Sequence, residues 1–580
     1  MAADQSTFPA MSIEQAHGLL TAPGQIFEME DVDVRGVTLR TYKHAPQTLR
    51  EVFMLCRQHG DKDYLVFEDE RVTFNAFLNA VSHLGNILRD KFDVQKGDRV
   101  AICMRNFPQW PVAFGAAVSI GAIATPMNSW WTGEELEYGF SDCGAKVAFL
   151  DIERIERMRE HLVNLPDLKH MIIARCPEQQ GDPRMIAMED LIGDAKAWTD
   201  LETIDLPAAD LVADDDATIM YTSGTTGFPK GALATHRAII SNIFNSMASQ
   251  ARSFLRNGEA VPTPDPNEPQ KVMLLSVPFF HATGAFAVML PNIIRGVRII
   301  TQYKWDPLEA LKIIEREGVN VIGGVPTIVW QVLEHPDREK YDLSSIDTVS
   351  YGGAPSAPEL VASVRKNLNN STVGNGWGMT ETCATCTLNF GMDYVMKPDS
   401  AGVPGPAMDI KVVGPNEETL PSGEVGELWT KGPAVVKSYW NKPEASAETF
   451  VDGWVKTGDL ARIDEEGFVY ILDRAKDMLI RGGENIYCIE VENVLYDHPD
   501  IMDAAIVGIP HKVLGEEVGA VVQLTPGSTL TEDEVRAFAA SHLAAFKVPV
   551  QVKFSQEVLP RNAAGKILKP ELRALFTGEA

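Results

Sequence analysis

Apolar positions along this chain fall into short runs separated by helix-length stretches, and the rhythm changes twice. Residues 99–104 (RVAICM) form a β-branched run, followed by Asn106, Pro108 and a small-residue stretch of helical length at 112–120. Two further apolar runs stand at 123–127 and 146–150, each behind a helical segment. Similar units recur at 272–277, 297–301, 319–323 and 348–351. Strand, helix, strand at this spacing predicts α/β units built on parallel sheets. Residues 261–270 hold four prolines in ten positions and predict a surface loop.

After about residue 400 the texture shortens. The turn-rich segments GVPGP (402–406), PSG (421–423), GELWTKG (426–432) and DGW (452–454) separate brief strands, which predicts a small antiparallel β region at about 400–472. From about Asp473 the order becomes helix (490–496), strand (503–509), strand (517–524), helix (531–543). That is an α+β module of about a hundred residues, large enough to fold separately. The fold class expected is therefore α/β. A large N-terminal domain (46–475) of parallel-sheet subdomains carries the small β subdomain, and a small α+β domain follows at 476–580. The first 45 residues stay unassigned.

Composition narrows the function. Hydrophobic residues make up 45% and charged residues 23%, as in ordinary globular proteins, which excludes disorder over most of the 580 residues. Fifty-two Lys and Arg against 80 Asp and Glu give a formal charge of −28. So acidic a surface repels nucleic acid and anionic lipid. Seven cysteines are too few for a disulfide scaffold, and the odd count fits a reducing cytoplasm. Cys383 and Cys386 form a lone C-x-x-C without further zinc ligands and read as a packed helix start. No basic and apolar leader opens the chain. The longest apolar stretch, 284–294, contains Pro291 and falls short of the ~20 residues of a membrane span. A cytoplasmic protein without integral membrane association or nucleic-acid partner is expected, and a homodimer stays open.

The densest chemistry lies at 221–231, YTSGTTGFPKG, with five hydroxyl residues and three glycines in eleven positions. Glycines let backbone N–H groups approach a ligand, hydroxyls add donors, and Lys230 adds a positive charge. Thr222, Ser223, Gly224, Thr225, Thr226, Gly227 and Lys230 thus have the composition of a polyphosphate cradle between a strand and a helix. It is no Walker motif, because Gly231 follows the lysine where Ser or Thr would stand.

This loop resembles that of the adenylate-forming superfamily of acyl-CoA synthetases, luciferases and peptide-synthetase adenylation domains. Further motifs follow in that family's order. Residues 351–355 (YGGAP, with Gly353, Ala354 and Pro355) are similar to its adenine-facing turn. Residues 376–382 (Gly376, Trp377, Gly378, Met379, Thr380, Glu381, Thr382) resemble its next motif, with Asn375 just before it a further candidate for nucleotide binding, and 454–460 (WVKTGDL) resemble its ribose-binding one. Residues 473–486 resemble its hinge and the loop beyond, and 560–569 (PRNAAGKILK) its C-terminal lysine motif. The likeness covers about residues 50–575 and is nearest to fatty acyl-CoA synthetases. Departures are mild: Ala232, Ala564 and Lys569 stand where Val, Ser and Arg are commoner.

The resemblance implies ATP, Mg²⁺ and coenzyme A acting on a small-molecule carboxylic acid. Lys566 would stabilise charge as the carboxylate attacks the α-phosphate. Glu381, with the Thr226 hydroxyl, would hold Mg²⁺, and Thr380 would reach phosphate oxygens. Asp459 would accept both ribose hydroxyls, with Arg474 and Ile471 beside it. Lys476 would be the pivot of a mobile C-terminal domain whose other face, Gly482, Gly483 and Glu484, admits the pantetheine arm. His281 either orients the substrate carboxylate or packs against Phe279 and Phe280. Apart from His281, the candidate pocket segments hold no ionisable group but a tyrosine, and no Asp stands near it to pair an amine, which excludes an amino acid. Ala285, Gly323, Gly324 and Ala354 leave room for an apolar tail, and Trp330 would limit its length. The expected activity is an ATP-dependent acyl-CoA synthetase for an apolar, medium- or long-chain acid. An aryl- or cinnamoyl-CoA ligase and a silent nucleotide- or acyl-binding protein are the alternatives.

Overall fold

A computed structural model of the chain describes residues 8–176, 181–222, 229–263, 265, 267–353, 356, 358–368, 371–525, 527–561 and 567–577. Two large sheets dominate. An eight-stranded sheet is parallel through Ile123–Pro126, Arg99–Cys103, Val147–Asp151, His170–Ala174 and Met185–Ala187. A nine-stranded sheet runs parallel through Thr372–Met379, Thr348–Gly352, Val321–Gly324, Val272–Leu275, Arg298–Thr301 and Asp63–Phe67, with antiparallel edges. Nearly every inner strand position is buried, which is why these strands read as continuous apolar runs rather than alternating ones.

The helices between the sheets explain their own sequences. Gln109–Ser119 is buried at all eleven positions, so it is apolar on every side. A Cβ at Gly115 would stand 2.9 Å from the Phe53 ring, so only glycine lets that contact close. Phe74–Asp90 begins where Thr73 Oγ1 accepts the Ala76 amide. One core cluster runs from both sheets through these helices and His236–Arg256.

The β region is a five-stranded antiparallel sheet that includes Asp409–Val413, Gly426–Lys431, Trp454–Ile463 and Val469–Arg474. Beyond it, Ile501–His511 and Gly515–Leu524 pair at ten positions, covered by Cys488–Tyr496 and Glu532–His542 around a separate core. From residue 8 the unassigned N-terminal segment packs onto the large unit as helix Ile13–Leu20 and hairpin Met29–Val34/Val37–Tyr42.

Two local expectations are corrected. The Ser/Thr/Gly loop does not run from strand into helix. It joins antiparallel strands Asp216–Tyr221 and Gly231–Thr235, and the helix begins only at His236. Cys383 and Cys386 are buried but start no helix: Cys383 ends a 3₁₀ turn at φ 53°, and Cys386 sits in strand Ala384–Phe390. Burial pushes the Cys386 thiol up to about 12, the behaviour of an inert packed thiol. No disulfide joins any of the seven cysteines. Among the described residues no helix is long and apolar enough to cross a membrane.

Candidate active site

The strands flanking the Ser/Thr/Gly segment meet in register at Tyr221 and Gly231, and the Thr222 amide donates to the Lys230 carbonyl at 2.9 Å. That bond closes the base of the loop. Ser223, Gly224, Thr225, Thr226 and Gly227 lie outside the described residues. Lys230 Nζ stands 5.1 Å over the Tyr439 ring, and the Tyr439 hydroxyl donates to Glu381 Oε1 at 2.5 Å. Tyr439 therefore links the cation of one motif to the carboxylate of another. Its strand, Ser438–Tyr439, pairs with Ala232 and Leu233 directly after the loop. Burial, then the adjacent Glu381, holds the Tyr439 phenol well above its ordinary range, so it stays a donor.

Glu381 is 6% exposed and lies in the 3₁₀ turn Thr380–Thr382, where Thr382 Oγ1 accepts the Met379 amide. No group of three or more His, Cys, Asp or Glu gathers as a metal cluster among the described residues. Glu381 lines the same cavity as Thr222 and Lys230, and a single carboxylate there fits Mg²⁺, which takes one or two carboxylates and draws its remaining ligands from phosphate and water.

Asp459 and Arg474 face each other across adjoining strands. Arg474 Nε donates to Asp459 Oδ1 at 2.6 Å, and Trp377 Nε1 donates to Oδ2 at 2.8 Å. Each oxygen keeps a lone pair for a ligand hydroxyl. Gly376, Gly378, Met379 and Thr380 border the same space, as does Gly353. Asn375 sits between Tyr351 and Asn389 in the sheet, and Ile471 packs towards Val412 and Leu428; neither lines the cavity. Ala354 and Pro355 lie outside the described residues.

Lys230, Trp377, Glu381, Tyr439 and Arg474 border one cavity of about 1320 Å³; Asp459 is buried behind Trp377 and Arg474 and does not itself line it. Its lining includes Thr222, Lys230 and Glu381 as well as Phe254 on helix His236–Arg256 and Met273 and Val297 at strands of the nine-stranded sheet. His281 lines it, its ring 4.6 Å from that of Phe280. Just beyond, Thr283–Met289 is a π-helix, a form common at functional sites. A Cβ at Gly284 would fall 2.1 Å from the Pro278 carbonyl oxygen, so this wall closes only on glycine.

The C-terminal module brings Val558 and Arg561 to the cavity rim. Arg561 bonds Asp503 at 2.5 Å and bridges to Ile567; Lys566, between them in sequence, lies outside the described residues. Gly482 and Gly483 form an exposed turn at φ 62° and 93° between Leu479–Arg481 and Glu484–Ile486; neither they nor Glu484 line the cavity. Lys476 is exposed, and local desolvation lowers its pKa. Beside it Asp473 accepts the Cys488 amide at 2.5 Å, and burial raises its carboxyl to about 6.

Residues 53–440 match the family model described as AMP-binding enzyme, and 490–566 match its C-terminal domain. The chain belongs to the AMP-binding enzyme family. Within it, the chain is an AMP-forming acid–CoA ligase that uses ATP, Mg²⁺ and CoA. It is 35% identical to a feruloyl-CoA synthase of Amycolatopsis sp over 505 residues, covering 87% of this chain and 94% of that one. It is also 35% identical to a long-chain-fatty-acid–CoA ligase of Bacillus subtilis (strain 168) over 532 residues, covering 88% and 91%. Among solved structures, an o-succinylbenzoate CoA synthetase from Bacillus subtilis holding its acyl-adenylate aligns with a TM-score of 0.74 at 29% identity, covering 90% and 97%.

In this AMP-binding enzyme the cavity wall beyond His281 departs from expectation. Ala285 is fully buried and Trp330 packs into the neighbouring core, so neither borders the cavity. Trp305 and Gln331 do, joined by a 2.8 Å bond from Trp305 Nε1 to Gln331 Oε1. Outside the candidate pocket segments the lining holds charged groups from segments that carry no motif, among them Arg105, Glu268, Lys271, Arg295 and Asp347.

Proposed function

We propose that this enzyme activates a medium- or long-chain carboxylic acid with an apolar stem, and that the acid lies in the long cavity with its carboxylate near His281. The observation that carries this is the continuity of that cavity from the phosphate loop to Phe254 and Met273. Bound in that way, the carboxylate meets the nucleotide at one end while the stem is buried along the sheet. Lys566 would neutralise charge at the α-phosphate, and a Mg²⁺ ion held by Glu381 and Thr226 would polarise the phosphates. Asp459, oriented by Trp377 and Arg474, would fix the ribose. Rotation about Lys476 would then bring Gly482, Gly483 and Glu484 to the acyl-adenylate for attack by CoA. We assign the enzyme to the cytoplasm, a reading supported by the absence of disulfides among its seven cysteines.

The test is pyrophosphate release across saturated, cinnamic and benzoic acids, with and without CoA. Saturated acids of eight or more carbons should be turned over at least tenfold more efficiently than the aromatic ones. Preference for a cinnamic acid would favour the aryl ligase, to which the identity with the feruloyl-CoA synthase lends weight. No pyrophosphate with any acid would leave only a silent binder.

A further inference from the structure

Arg295 ends helix Leu290–Arg295, at the end of the cavity remote from the phosphate loop. Its side chain is accessible, yet it lines the cavity and is enclosed enough that desolvation lowers its pKa. Arg295 Nη2 donates to Gln250 Oε1 at 2.9 Å, a neutral acceptor. Among the described residues no carboxylate pairs with it. The nearby Lys271, by contrast, is already neutralised by Asp347. A guanidinium stays charged in a protein and carries five donors, and the partner shown for this one is the neutral Gln250 oxygen. A purely hydrocarbon tail offers those donors nothing, whereas an anionic group at the tail end would pair with the cation.

We propose that Arg295 recognises a second, distal carboxylate, so that the preferred substrates are long acids carrying an anionic group at the far end of the stem. This rests on the reading of the cavity as the acyl site. Guanidinium–carboxylate pairing is bidentate and charge-assisted, and Gln250 already holds the fork in place. The residues between the ends include Leu275, Ala287, Val288 and Leu388, which suit a polymethylene stem. Asp347 to Gly352 along the sheet spans about 16 Å at the usual strand rise, so the recognised groups are well separated. Chain length and distal charge would then be read together.

Matched pairs test this: monocarboxylic, ω-hydroxy and α,ω-dicarboxylic acids of eight to sixteen carbons, assayed by pyrophosphate release with the full-length enzyme. A diacid should exceed its matched monoacid about 10- to 100-fold in kcat/KM at the best length, mostly through KM. Arg295→Leu should erase that ratio and Arg295→Lys should keep part of it, with thermal melts confirming folded variants. A wild-type preference for the monoacid or the hydroxy acid would overturn the proposal, as would a diacid preference that survives Arg295→Leu. Ala287→Phe separates the two readings, because Ala287 lines the wall between His281 and Arg295. If it blocks long acids of every kind while Arg295→Leu changes nothing, only the distal-carboxylate proposal fails. If long acids pass unhindered, the acyl-site reading fails with it.

Discussion

Tyr439→Phe isolates one contact at the junction of two motifs. The hydroxyl donates to buried Glu381 at 2.5 Å, while the ring carries Lys230 at 5.1 Å. Phenylalanine removes the first interaction and keeps the second. A hydrogen bond to a charged group contributes about 1.5–3 kcal/mol, and the orphaned carboxylate oxygen is too buried for water to replace the donor fully. Each 1.4 kcal/mol is a factor of ten, so kcat/KM for ATP should fall roughly 10- to 150-fold. The loss should appear as a higher Mg²⁺ requirement, because a mispositioned Glu381 holds the ion less well. Tyr439→Leu should cost a further ~1–2 kcal/mol by removing the cation–π contact with Lys230 as well. The assay is pyrophosphate release with Mg²⁺ and ATP titrated independently, beside thermal melts. A folded Tyr439→Phe enzyme with unchanged kcat/KM and an unchanged Mg²⁺ titration would refute the assignment of Glu381 to the metal through Tyr439.

Three further outcomes are expected. Lys566→Ala should slow acyl-adenylate formation about 10²–10³-fold, as for loss of a preorganised donor, while thioester formation from supplied acyl-adenylate persists; equal loss of both steps would defeat the role. Lys476→Pro should fix φ at the pivot near −65° and separate the half-reactions, so a folded variant running both at wild-type rates would rule out rotation there. Asp473, raised by burial to about 6 against about 3.9 unfolded, favours the folded state most below pH 4. That contribution, about 2–3 kcal/mol, is lost as pH rises through 6, and the difference in melting temperature between wild type and Asp473→Asn should change across that window and be flat above pH 7.

How much of this was legible beforehand depends on sequence distance. The alternation of apolar runs and helical stretches located the two large sheets because their inner strands are buried on both faces and cannot hide behind polar positions. The glycine-rich segments stood out because close backbone approach admits little else. Contacts set by register were invisible. Tyr439 lies 58 residues from Glu381, and Trp377 lies 82 from Asp459. Both pairs meet only after strands from different sheets are placed, and nothing in the segment KSYW marks its tyrosine. Strand Gly231–Thr235 was hidden by its small residues, GALAT, which read as the opening turn of the helix that follows. Arg295 stands in no motif; it ends a helix, a position where the dipole favours any basic residue, and only the cavity beside it sets it apart.

The N-terminal segment gives the clearest case of magnitudes deciding between readings. Its most visible link to the β region is the Arg40–Asp409 pair at 2.5 Å, yet both side chains are about half exposed, and such pairs contribute about 0–1 kcal/mol. The apolar contacts run deeper. Phe27, Tyr42 and Phe244 form a cluster with centroids 5.5–6.3 Å apart, and the Tyr42 hydroxyl donates to Asn245 Oδ1 at 2.7 Å inside the core. Burying one aromatic side chain contributes about 1.5–3 kcal/mol, so Phe27 and Tyr42 together outweigh the surface pair several times over. Asn245 also accepts the Ala407 amide, at the start of the β region. The segment is therefore held by, and itself buttresses, the helix His236–Arg256, which forms one wall of the cavity. Changes within the first 45 residues should be felt at that wall through His236–Arg256 rather than through the exposed ion pair.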